Sequence, residues 1–205
     1  RPMMYHTIIF DLGNVLIGWD PRLLYRKVFD TEEEVEYFMT HITNLDWNEE
    51  QDRGRPVSEG TEMLVAKHPE WEREIRMYYD RWTESFSGPI AGTVALLKEL
   101  QAHEKYRLLA LTNWSAELFP WARERYDFLQ LFEDIMVSGE VKMKKPDPAI
   151  YELLRSRYGL GDFSGCLFID DSLRNVDGAI AAGLEAIRFT NSEELRSELE
   201  SRSII

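Results

Sequence analysis

Asp11 ends the short apolar run Thr7 to Phe10 and opens a turn through Gly13 and Asn14. A carboxylate delivered this way can act as a nucleophile on phosphorus, splitting one difficult displacement into two easier ones. Three other apolar runs stop in the same way, at Thr112-Asn113, Ser138-Gly139 and Asp170-Asp171. Thr112 offers a hydroxyl and Asn113 a backbone N–H, both suited to a transferring phosphoryl oxygen. Asp170 and Asp171 are adjacent carboxylates of the hard-oxygen kind that magnesium takes. Each has a plainer use. Asp11 can cap a turn, Thr112-Asn113 can be an ordinary turn, and Asp170-Asp171 and Asn175 can cap the helix that follows.

The elements that must carry these residues alternate. Strands are expected at Thr7 to Phe10, Tyr106 to Leu111, Ile135 to Val137 and Leu167 to Ile169. Helical periods separate them at Gly92 to His103, Ser115 to Tyr126, Asp147 to Tyr158 and Ser172 to Ala182. Alternation of this kind predicts an α/β fold with a Rossmann-like parallel sheet, whose ligands bind beyond the carboxyl ends of the strands. Residues 21–86 break the pattern and read as consecutive helices. Thr31 with Glu34 makes a capping box, Gly54 closes Leu45 to Arg53, and Pro69 opens an amphipathic run to Trp82. The expected division is a catalytic core of residues 1–20 and 87–205 with a small all-helical cap of residues 21–86, inserted after the first strand.

Four segments then resemble, in order, the motifs of the haloacid dehalogenase superfamily: Ile8 to Leu16 around Asp11, Leu111-Thr112-Asn113-Trp114, Lys145-Pro146-Asp147-Pro148, and Phe168 to Ser172 with Asn175 following. The helical insertion is similar to the small cap of the branch that holds haloacid dehalogenases and many sugar-phosphate phosphatases. The resemblance implies a magnesium-dependent hydrolase of a small phosphate monoester, a sugar phosphate or similar metabolite, working through an aspartyl-phosphate on Asp11. It implies Lys145 and Thr112 as catalytic partners, Thr112, Asn113 and Lys145 at the phosphate, and Asp11, the backbone carbonyl of Gly13 and Asp171 as Mg2+ ligands. Asp170 would stand beside the metal, and Asn175 would orient Asp171 or Lys145. Lys142 and Lys144 are expected to be solvated. In or beside the cap, Trp19, Trp47, Trp71 and Trp82 can form an aromatic lid over the leaving group or simply pack the helices. Trp47, Asn48, Gln51, Asp52 and Arg53 are the substrate-recognition candidates, joined by Trp114 from the core.

One departure counts against a simple reading. Most phosphatases of this superfamily carry a second aspartate two residues after the nucleophile, which protonates the leaving group and then activates water. That position is Gly13 here, as it lacks the aspartate in dehalogenases too. Against a dehalogenase, those enzymes work without metal and put Ser and Asn-type residues where this chain has Asp170 and Asp171. Three alternatives therefore stand beside the phosphatase: a 2-haloacid dehalogenase using Asp11, a phosphomutase-like transferase, and a non-catalytic phosphate-binding protein.

Composition narrows the partners. The 205 residues have a formal charge of -13, which disfavours nucleic acid, since lysines and arginines supply that affinity. No apolar run approaches the roughly 20 residues that cross a bilayer, so no membrane partner is expected. A single cysteine, Cys166, and an opening without the succession of a signal peptide point to the cytoplasm. A monomer or homodimer is expected.

Overall fold

A computed structural model describes residues 4–205; Arg1, Pro2 and Met3, part of the expected core segment 1–20, lie outside the described residues. Among the described residues there are seven strands: β1 (Thr7–Phe10), β2 (Ile17–Trp19), β3 (Phe86–Pro89), β4 (Arg107–Thr112), β5 (Asp134–Val137), β6 (Cys166–Asp170) and β7 (Glu185–Arg188). Five of them form a parallel sheet in the order β5-β4-β1-β6-β7, with β1 in the middle. β1 is paired on both sides and fully buried, which suits its unbroken β-branched and aromatic sequence.

Eleven α-helices among the described residues accompany them: α1 (Arg22–Tyr25), α2 (Glu32–His41), α3 (Leu45–Arg53), α4 (Val57–Lys67), α5 (Glu72–Asp80), α6 (Ala91–His103), α7 (Phe119–Arg125), α8 (Ser138–Val141), α9 (Pro148–Tyr158), α10 (Leu173–Ala181) and α11 (Ser192–Ser201). Strand residues of alternate parity face opposite layers. Ile8, Phe10, Leu108, Ala110, Leu167 and Ile169 pack with Leu96 and Leu97 of α6, Phe119 of α7 and Leu195 of α11. Ile9, Leu109, Leu111 and Phe168 pack instead with Ile150, Tyr151 and Leu154 of α9 and Ala179 of α10. The sheet is thus covered on both faces, and its free working edge is the row of carboxyl ends.

After β1 the chain forms a tight loop in which Asn14 has φ 61°, and β2 then pairs antiparallel with β3. Everything between these two strands is helix and turn. Helices α1 to α5 have an apolar interior of their own, in which Tyr25, Phe38, Ile75 and Tyr78 are buried. Thr31 accepts from the Glu34 N–H at 3.2 Å, and Gly54 ends α3 at φ 125°, a backbone angle that favours glycine. The helical run expected from Ser115 is shorter than its sequence period. Residues 115–118 form a turn in which Ser115 Oγ accepts the Glu117 N–H, and α7 starts only at Phe119, with Pro120 in its first turn. No helix among the described residues is long and apolar enough to cross a membrane.

Candidate active site

Three carboxyl-terminal strand ends and one loop meet at one point. β1 ends beside Asp11, β6 ends in Asp170 with Asp171 next, β4 ends in Thr112, and the loop before α9 brings in Lys145. Lys145 is buried, and its ammonium donates to Asp11 Oδ1 at 2.9 Å, to Asp170 Oδ2 at 2.8 Å and to the Leu111 carbonyl at 2.9 Å. Asn113 fixes the loop that supplies it. The Asn113 amide donates to the Lys145 carbonyl at 3.0 Å and accepts the Lys145 N–H at 2.9 Å.

Charge at this point is unbalanced. Asp11, Asp170 and Asp171 each present an oxygen within 4.8 Å of the others, against one ammonium. Burial, then the neighbouring Asp170, pushes the Asp11 carboxyl well above its ordinary range, and Lys145 only partly opposes them. Asp171 is raised as well, first by burial. Burial acts to lower the Lys145 ammonium, but Asp11 and Asp170 outweigh it and hold it protonated. An all-oxygen donor set carrying excess negative charge fits a hard divalent cation such as magnesium.

Asn175 differs from its expected partner. Its amide donates to Asp170 Oδ2 at 3.2 Å, not to Asp171 or Lys145, and the Ser172 N–H donates to Asp170 Oδ1 at 2.8 Å. Asp170 is therefore committed to holding Lys145 and the start of α10, while Asp171 remains partly exposed. Lys144 also departs from expectation. It is buried and pairs with Glu49 of α3 at 3.1 Å, whereas Lys142 is exposed.

Above the strand ends lies a cavity of about 60 Å³, bounded by Gly13, Trp19, Asn48, Asp52, Trp82, Phe86, Asn113 and Trp114. Four of these walls are aromatic, and Phe86 stacks on Trp114 with ring centres 5.5 Å apart. The α3 candidates divide sharply. Asn48 and Asp52 bound the cavity, one turn apart on the same helix face. Trp47 is turned into the helical interior, where its indole donates to the Gly60 carbonyl at 2.9 Å and its ring packs on Tyr78. Gln51 is buried and reaches Tyr79, and Arg53 pairs with Asp147 at 2.6 Å on the seam between α3 and the core. Neither Trp47 nor Arg53 bounds the cavity. Trp19, Trp82 and Phe86 do; of the four tryptophans offered as an aromatic lid, Trp19 and Trp82 bound the cavity and Trp47 and Trp71 do not, and Phe86 had no signal in the sequence.

Similarity to known proteins agrees with this geometry. The chain is 28% identical over 202 residues to the sesquiterpene phosphatase astK of Aspergillus oryzae, across 98% of this chain and 97% of the relative. It is 26% identical over 209 residues to the drimenol cyclase drtB of Aspergillus calidoustus, where the match takes in 96% of this chain but 36% of that protein. Among solved structures, the HAD family enzyme bt-2542 of Bacteroides thetaiotaomicron, in complex with magnesium and inorganic phosphate, matches with a TM-score of 0.67 and 22% identity. That match extends over 91% of this chain and 95% of the other and shows a shared fold. A family model described as haloacid dehalogenase-like hydrolase matches residues 5–183, and with its strand-end carboxylates and buried lysine in that frame, the chain belongs to this hydrolase family.

Proposed function

We propose that the protein hydrolyses phosphate monoesters with magnesium, through an aspartyl-phosphate on Asp11. The observation that carries this reading is Lys145 in simultaneous contact with Asp11 and Asp170, with Asp171 alongside. Asp11 supplies the attacking oxygen, and Lys145 keeps that carboxylate aimed and lowers the charge near the incoming phosphoryl group. The Thr112 hydroxyl and the Asn113 backbone N–H bind the non-bridging oxygens of the transferring phosphoryl group. Asp11, the Gly13 carbonyl and Asp171 would hold magnesium, with Asp170 behind them, and the ion would neutralise charge on the transferring group. Residues 21–86 act as the cap over a core built from the rest of the chain.

The alcohol half of the substrate lies against the cavity walls. Trp19, Trp82, Phe86 and Trp114 favour an apolar alcohol over the sugar expected from the resemblance, since a sugar brings hydroxyls that aromatic faces cannot pair. The likeness to a sesquiterpene phosphatase supports the same choice. A phosphate-release screen tests both parts. Apolar alkyl or isoprenoid monophosphates should outrun sugar phosphates and nucleotides, and haloacids should release no halide. Release that survives excess chelator, or halide release without phosphate release, would overturn the reading.

A further inference from the structure

Position 13 has no side chain to protonate a leaving group, and the cavity beside it is bounded by one ionisable side chain, Asp52 of α3. The other polar walls are the amides Asn48 and Asn113, which do not exchange protons near neutral pH. We propose that Asp52 is the general acid and base of the reaction, reaching the leaving oxygen from the helical side of the cavity. The inference rests on the aspartyl-phosphate reading of Asp11.

Asp52 is held for such a task at both ends. Its backbone carbonyl accepts from Ser138 Oγ at the end of β5, which ties α3 to the strand ends. Its carboxylate receives the Asn48 amide at 3.4 Å, Asn48 accepts from the Tyr79 hydroxyl at 3.2 Å, and Tyr79 accepts from the Gln51 amide at 2.9 Å. Arg55 closes the series by donating to Gln51 Oε1 at 2.7 Å. A run of donors this long serves to orient one terminal acceptor.

The surroundings also set its proton affinity for neutral pH. Burial, then Glu49 on the same helix, raises the Asp52 carboxyl to about 7, while Lys144, Lys145 and the Ser115 backbone N–H draw it back. The phenols of Tyr78 and Tyr79 on α5 face it too, both pushed upward and therefore neutral. A carboxyl poised near the working pH can give a proton and take it back.

The two half-reactions balance through this one group. In the first, an Asp11 oxygen bonds to phosphorus, the ester P–O bond breaks, and the Asp52 proton passes to the alcohol oxygen. In the second, the Asp52 carboxylate takes a proton from water as the water oxygen bonds to phosphorus. The Asp11–phosphorus bond then breaks, releasing inorganic phosphate and restoring both acids to their starting forms.

The test compares an alkyl phosphate, whose alkoxide needs the proton, with an aryl phosphate, whose phenolate needs it far less. With magnesium present, kcat/KM of native enzyme for the alkyl ester should decline above about pH 7 as Asp52 ionises, and the aryl ester should lack that decline. Asp52→Asn should lose about 10²- to 10³-fold on the alkyl ester and under about tenfold on the aryl ester in the first half-reaction, read as the burst of phenol. Gly13→Asp is an independent second variant. A Cβ at Gly13 meets nothing within 4 Å, and its φ is not in the left-handed region. Added to Asp52→Asn, it should restore alkyl turnover by at least about tenfold. An unchanged alkyl-to-aryl ratio in Asp52→Asn, or identical pH profiles for the two esters in native enzyme, would overturn the assignment. If native enzyme releases phosphate from neither ester, the phosphatase reading itself has failed.

Discussion

All three ammonium protons of Lys145 are used in one buried place, on Asp11, Asp170 and Leu111. Lys145→Met would leave two carboxylates facing each other without a cation. Taking one partner from a buried pair costs about 3–5 kcal/mol, so chemical denaturation should report a loss of that order together with loss of turnover. Asp11→Asn, by contrast, removes the nucleophile but keeps an acceptor for Lys145, so it should abolish activity while unfolding near the native midpoint. A phosphatase rate within tenfold of native in that variant would exclude Asp11 as nucleophile. Asp52 also leaves a mark on stability. Its folded carboxyl is raised from 3.8 to about 7, so between these values the native state binds more protons than the unfolded chain. Its contribution therefore falls as pH rises across that window, and Asp52→Asn should flatten this part of a stability-against-pH curve. Asp11, Thr112 and Asp170 were legible in the sequence because each sits at or beside the end of a strand that short-range pattern already defines, whereas Lys145, in the loop before α9, was legible only through the Lys145-Pro146-Asp147-Pro148 segment. Asp52 was legible only as one polar residue among several on α3. What distinguishes it, a cavity facing Gly13 and a series of amides behind it, depends on how α3 and α5 pack, which no local pattern encodes.

Helix α3 is the element through which the insertion meets the core. Arg53 pairs with Asp147, Glu49 with Lys144, and Ser138 with the Asp52 carbonyl, while the Val57 N–H just beyond donates to Glu117 at 2.8 Å. The Arg53–Asp147 pair is about one-third exposed on each side, which limits its worth to about 0–1 kcal/mol. Arg53→Ala should accordingly leave the unfolding midpoint almost unchanged. It should raise KM by a similar few-fold for every substrate, because it loosens the seam and does not reshape the cavity. A changed ranking among substrates would instead return Arg53 to substrate recognition. Strands β1, β4, β5 and β6 and helices α6, α7, α9 and α10 followed from apolar runs and helical periods, whereas α11, which also packs on the sheet, was not read from the sequence. The short strands β2, β3 and β7 did not follow, for physical reasons. Ile17–Trp19 and Phe86–Pro89 carry two glycines and a proline, residues that disfavour strands unless a partner strand is already in place, and Glu185–Arg188 is a partly exposed edge.

For the molecule as a whole, a charge of -13 with a carboxylate cluster at its centre means that the magnesium proposed above would be a stabilising partner as well as a chemical one. Magnesium binding to the native state alone should raise the thermal midpoint in proportion to the logarithm of its concentration, and Asp171→Ala should weaken that rise. A midpoint indifferent to magnesium would count against the site. The paired strands β2 and β3 bear on something else. The Asp20 N–H donates to the Ser85 carbonyl at 2.8 Å, so the helical insertion leaves and rejoins the β2–β3 ribbon at one spot. Geometrically it is a cassette, and a foreign insertion with matching ends could be grafted there without disturbing the register of the five-stranded sheet. Chemically it is not interchangeable. With Asp52 travelling inside the cassette, a donor insertion taken from a relative that keeps its aspartate beside the nucleophile would arrive without a proton source, and the chimera would fold but stay silent on alkyl esters until an aspartate replaced Gly13.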